Sequence, residues 1–118
     1  MADNSDRERR LLSTYMVLRK MLLEKIPAGI EIPDPGTKLE KIDTESSVKY
    51  ARRIIRDMPA DPWILGLVEQ LTLDWLDALY MCRTARRIKD PIFGDLADAA
   101  FTRFAATVNA INAGKGKS

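Results

Sequence analysis

Apolar residues recur at three- and four-residue spacing along most of this chain, and the longest such run, residues 61–89, is the one the rest is organised around. Ile64, Val68, Leu71, Trp75, Ala78 and Cys82 share one helical face. Leu65, Leu73, Leu76 and Tyr80 line roughly the opposite side, so the helix is apolar on two faces. Such a helix is either packed between neighbours or completes a partner's core. Asp61 supplies the N-cap, and Pro62 occupies the first helical position, where its missing N–H costs nothing. The run turns cationic at Arg83, Arg86, Arg87 and Lys89, which suits the negative end of the helix dipole. Asp90-Pro91 ends it, because the residue before proline avoids helical geometry.

The same pattern predicts three further helices. The first runs from about Asp6 to Lys25, with Leu11, Tyr15, Leu18, Leu22 and Ile26 as its stripe and Leu12, Met16 and Leu23 widening it. A short amphipathic helix spans 44–58, capped by Asp43 or Thr44 and stopped by Pro59, with Val48, Ala51, Ile55 and Met58 facing inward. The last opens at Asp90-Pro91, is striped by Phe93, Ala97, Ala100, Phe104, Val108 and Ile111, and stops at Gly114. Between the first two lies PAGIEIPDPGTKLEKID, residues 27–43, where three prolines and two glycines forbid a continuous helix. This loop is either a crossover whose Ile30 and Ile32 cover the edge of the core, or a partner-binding segment. The expected architecture is therefore all-α: a small four-helix bundle-like single domain over 1–118, with a short second helix, one long Pro/Gly-rich loop, and disordered ends at 1–6 and 114–118.

Composition narrows the chemistry. At 118 residues, 46% hydrophobic and 31% charged, the chain can build one modest core. It contains no histidine, which removes Ser-His and Cys-His nucleophile pairs and the common imidazole zinc sites. Its one cysteine, Cys82, excludes an internal disulfide and is expected to pack as a small hydrophobe. No run approaches the length of a membrane span, and the polar start MADNSDRERR lacks the apolar stretch of a signal peptide, so the expected location is cytoplasmic, with no membrane partner. We find no resemblance to a known family.

Three candidate sites remain. The first is cationic. Lys49, Arg52, Arg53 and Arg56 fall at i, i+3, i+4 and i+7, and Arg83, Arg86, Arg87 and Lys89 cluster at a helix end. Near them in sequence lie few acids, Asp57 and Asp90. Arginine-rich faces of this kind can track phosphates without reading sequence, or simply face solvent. The second is acidic. Asp74 and Asp77, and again Asp95 and Asp98, sit at i, i+3 on consecutive helices, a spacing that can offer oxygens to Mg²⁺. The dipole explains Asp95 and Asp98 equally well, and Asp77 points away from the apolar stripe, so no metal or other cofactor is assigned. The third is the second apolar face, Leu65, Leu73, Leu76 and Tyr80, joined by Trp63 as a loop staple or a partner anchor; Trp75 belongs to the core stripe.

The sequence thus predicts a non-enzymatic interaction module or assembly subunit that binds a protein partner or itself, through the second face of the central helix and the 27–43 loop. The competing reading is a nucleic-acid-binding accessory protein that uses the two arginine clusters.

Overall fold

The structure is a computed structural model and describes residues 4–25, 44–57 and 61–115. Those residues form four helices in chain order: α1, Asn4–Lys25; α2, Thr44–Arg56; α3, Pro62–Arg87; and α4, Pro91–Lys115. No strand occurs among the described residues, so the all-α expectation holds. The 27–43 loop, Ile26, Met58 and Pro59 lie outside the described residues.

Sequence chemistry sets the helix boundaries. The Asp61 carboxylate accepts a hydrogen bond from the Trp63 N–H at 2.9 Å, ahead of Pro62. Ile88 leaves the helical region at the other end of α3, its N–H still donating to the Thr84 carbonyl. Asp90 then repeats the device for α4, accepting from the Ile92 N–H at 3.0 Å. The outer bounds differ from expectation. α1 starts at Asn4, inside the stretch expected to be disordered, and α4 continues through Gly114 to Lys115, because a terminal glycine is compatible with the last helical turn and helix ends vary by a residue or two.

The helices are arranged around α3. α4 makes the most extensive contact with it, α1 packs on it and touches α4, and α2 packs chiefly on α3. The core is the predicted set of stripes: Leu11, Tyr15, Leu18 and Leu22 of α1; Val48, Ala51 and Ile55 of α2; Val68, Leu71, Trp75, Ala78 and Cys82 of α3; Ala97, Ala100, Phe104 and Ile111 of α4. Met21, Leu79 and Phe101 join them, one step beyond each predicted stripe. Trp75 anchors the α1–α3 contact. It is fully buried, its indole N–H donates to the Leu11 carbonyl at 3.2 Å, and its ring tilts against Tyr15 with centroids 5.5 Å apart. A buried indole stays cheap only when its N–H finds an acceptor, and this one does.

One interface expectation is overturned here. Leu76 was assigned to an association surface, but it is buried within the core. The face it shares with Glu69 and Tyr80 is the one α2 covers: Glu69 pairs with Arg52 and Arg56 of α2, and Tyr80 donates to Glu45 of α2. The second apolar face of α3 is therefore satisfied within the chain along much of its length. Leu65 is partly buried against the same core.

Candidate interaction surface

The arginine clusters prove to be tied to acids on other helices. Lys49 and Arg83 converge on Glu45, at 2.9 and 2.5 Å. Arg52 and Arg56 converge on Glu69, at 3.4 and 3.0 Å. Arg86 pairs with Glu8 of α1. Only Arg53, Arg87 and Lys89 of the eight predicted cations have no acidic partner among the described residues. The acids near in sequence, Asp57 and Asp90, are not the ones that neutralise these cations. Glu8, Glu45 and Glu69 are, and of these only the Glu45–Lys49 pairing, at i, i+4, was legible in the sequence.

Glu45 is the most heavily engaged of these acids. Besides Lys49 and Arg83 it accepts from the Tyr80 hydroxyl at 2.7 Å. Hydrogen bonds from Lys49 first, then Arg83 and Tyr80, hold its carboxyl down at a pKa of about 2. Lys49 and Arg83 also lie over the Tyr80 ring, 5.6 and 6.0 Å from its centroid. The partners of Lys49, the Tyr80 hydroxyl foremost and Glu45 second, raise the ammonium pKa above its ordinary value.

Tyr80, Arg83, Thr84, Arg86 and Arg87 line an open groove of about 510 Å³ at the carboxyl end of α3. Here the structure brings together part of the second arginine cluster and one residue of the apolar set. Two of the three guanidiniums are paired, Arg83 with Glu45, which it shares with Lys49, and Arg86 with Glu8, and the helix end that carries them bears the negative pole of the dipole. The groove therefore presents two guanidiniums paired with carboxylates and one, Arg87, with no acidic partner among the described residues.

The acidic candidates are separated in the same way. Asp74 is buried, 3% exposed, and is satisfied by Gln70 at 2.8 Å, Thr107 at 3.1 Å and the Arg103 guanidinium at 3.7 Å. Asp77 takes the other side of Arg103 at 2.5 Å. Asp98 pairs with Arg7 and Arg10 of α1, at 3.6 and 3.4 Å. Asp95 is exposed on α4 and has no partner among the described residues. Three of the four acids are thus engaged by arginines, and no three His, Cys, Asp or Glu side chains gather as a metal site among the described residues. Their role in the fold is to set the register of α3 on α4 and of α1 on α4. Burial pushes the Cys82 thiol up to about 11, so at neutral pH it is a packed apolar group and a poor nucleophile.

Large apolar side chains remain open elsewhere. Trp63, Leu73 and Tyr80 of the predicted set are exposed, Trp63 by about half. Ile88, Ile92 and Leu96, which sequence reasoning missed, are exposed around the α3–α4 turn. Their signal was available: Ile92 and Leu96 lie off the buried α4 stripe, on a face of that helix with no partner among the described residues. Among the described residues no helix is long and apolar enough to cross a membrane. The chain matches no protein-family model, no curated protein and no solved structure.

Proposed function

We propose that this chain is a small helical interaction module, a subunit that acts by protein–protein contact and carries no catalytic centre of its own. One observation carries the reading: five of the eight cations expected to form a phosphate-tracking face are paired with Glu8, Glu45 or Glu69, while Trp63, Leu73, Ile88, Ile92 and Leu96 are exposed. Exposed apolar groups rimmed by charge suit a protein partner better than a polyanion. The non-catalytic reading is supported by the engagement of Asp74, Asp77 and Asp98 with arginines and by the burial of the single thiol. A single free cysteine fits a reducing compartment such as the cytoplasm.

The test has two arms. A photo-crosslinking amino acid is placed at Trp63, Leu73 or Ile92, with Arg53 as control, and the purified chain is separately titrated into labelled oligonucleotides at several salt concentrations. A discrete protein adduct from the apolar positions, absent from the Arg53 control, with a flat oligonucleotide titration at low salt, is the expected result. Saturable binding that weakens steeply with salt, with no protein adduct, would transfer the assignment to nucleic-acid binding through Arg53, Arg87 and Lys89.

A further inference from the structure

The outer face of α4 has no partner among the described residues. Ile92, Leu96, Ala99, Arg103, Ala106 and Ala110 follow one another at spacings of four, three, four, three and four residues, the repeat of a helix-pairing seam. The seam lies beside the buried stripe of Ala97, Ala100 and Phe104. Ile92 is 48% exposed and Leu96 43%; Ala99 and Ala106 are exposed as well. A helix with a second heptad seam open to water is built to pack on two sides, and α3 covers only one of them.

Resting on the interaction reading above, we propose that this face binds a second copy of the same chain, α4 against α4, antiparallel about a two-fold axis beside Ala99. The face is self-complementary in two independent respects. It is bulky at one end and small at the other, so an antiparallel partner sets Ile92 against Ala106 of the second copy and Ala99 against Ala99, which allows close approach. It is also oppositely charged about the same centre. Asp95 lies four residues before Ala99 and Arg103 four residues after it. Asp95 is exposed with no partner among the described residues, and Arg103, though it reaches Asp77 and Asp74, keeps half of its side chain open. The two-fold places each Asp95 alongside the other copy's Arg103, twice per dimer. A parallel arrangement would instead oppose like charges and bulky residues.

Three variants read this directly. Wild-type protein in sedimentation velocity should shift with rising concentration from 13.3 kDa toward twice that mass. Ala99→Cys introduces an exposed thiol beside the proposed axis, the native Cys82 being buried, and should oxidise rapidly to a covalent dimer while Arg53→Cys does not. Asp95→Arg should abolish the dimer, as should Arg103→Glu; mixing the two should restore it, because the mixed pair regains both opposite-charge contacts. Arg103→Glu also loses its contacts with Asp74 and Asp77, so if circular dichroism shows that it is unfolded, Asp95→Arg alone decides, since it disturbs no described partner. A chain that stays monomeric at every concentration, with Ala99→Cys no faster to crosslink than Arg53→Cys, overturns the homodimer. That failure is distinct from failure of the interaction reading. A monomer that still crosslinks from Leu73 to a different protein loses only the second copy, whereas a monomer with no adduct loses both.

Discussion

Glu45 shows how one side chain joins two helices that are far apart in sequence. It belongs to the first turn of α2, where a carboxylate is favoured by the dipole, and it gathers donors from Lys49 on its own helix and from Tyr80 and Arg83 on α3. Its pKa falls from 4.5 to about 2 because the folded state holds the charged form with three hydrogen bonds, Lys49 contributing most. A carboxylate with a depressed folded pKa stabilises the fold above its unfolded pKa, and that contribution is lost as pH falls through the folded value. Thermal melts should therefore show wild-type stability declining between pH 4.5 and about 2. Glu45→Gln should start lower at neutral pH, decline less over that interval, and approach wild type at the acidic end. Parallel pH profiles would mean that the carboxylate is not coupled to folding. The i, i+4 half of this cluster could be read from the sequence. Tyr80 and Arg83 could not, because nothing local fixes which face of α3 receives α2.

At the scale of the helix, α3 shows both what patterning specifies and where it leaves slack. Its cap, its first-turn proline and its core stripe follow from local chemistry, and they stand as expected. Gly66 is the weak point. It lies in the fifth position of the helix, exposed, and a methyl group there would meet nothing within 4 Å. Glycine in a helix costs about 0.5–1 kcal/mol relative to alanine, through the chain entropy it gives up on folding. Gly66→Ala should accordingly raise the unfolding free energy by about that amount, seen as a higher urea midpoint with an unchanged slope. A lower midpoint would show that the open space is occupied in solution. Gly94 is a different case, since its missing side chain leaves room for the Arg7 guanidinium, with which an added Cβ would collide. Composition alone does not separate these two glycines; the neighbour on α1 does.

For the molecule as a whole, α3 is the common surface on which the other helices depend. α2 is the most exposed to loss, being 13 residues long and packed chiefly on α3. An isolated helix of that length is marginal in water, so its persistence rests on Val48, Ala51 and Ile55 and on the ion pairs to Glu69 and Arg83. Native-state hydrogen exchange should find α2 amides opening at lower free energy than those in the middle of α3, with α4 close to α3. Equal protection in α2 and α3 would mean that the four helices open only together. The same arrangement separates the residues of the expected interface into buried and exposed. Leu76 is buried and Tyr80 is engaged by α2, while Leu73 and Trp63 remain exposed, and among the described residues no element covers the outer face of α4.

The sequence by itself determined the fold class, the four helices, the N-caps of α3 and α4 and nearly all of the core, because capping and helical periodicity are properties of a few neighbouring residues. Only the tertiary structure decided what each second face does. Leu76 became core, Arg52 and Arg56 became partners of Glu69, and Ile92 and Leu96 were left outside. Those outcomes depend on which helix lands where. Glu69 meets Arg56 from 13 positions away, and Arg83 meets Glu45 from 38. A residue's helical phase fixes the direction of its side chain, but the element waiting in that direction is set by the packing of the whole chain.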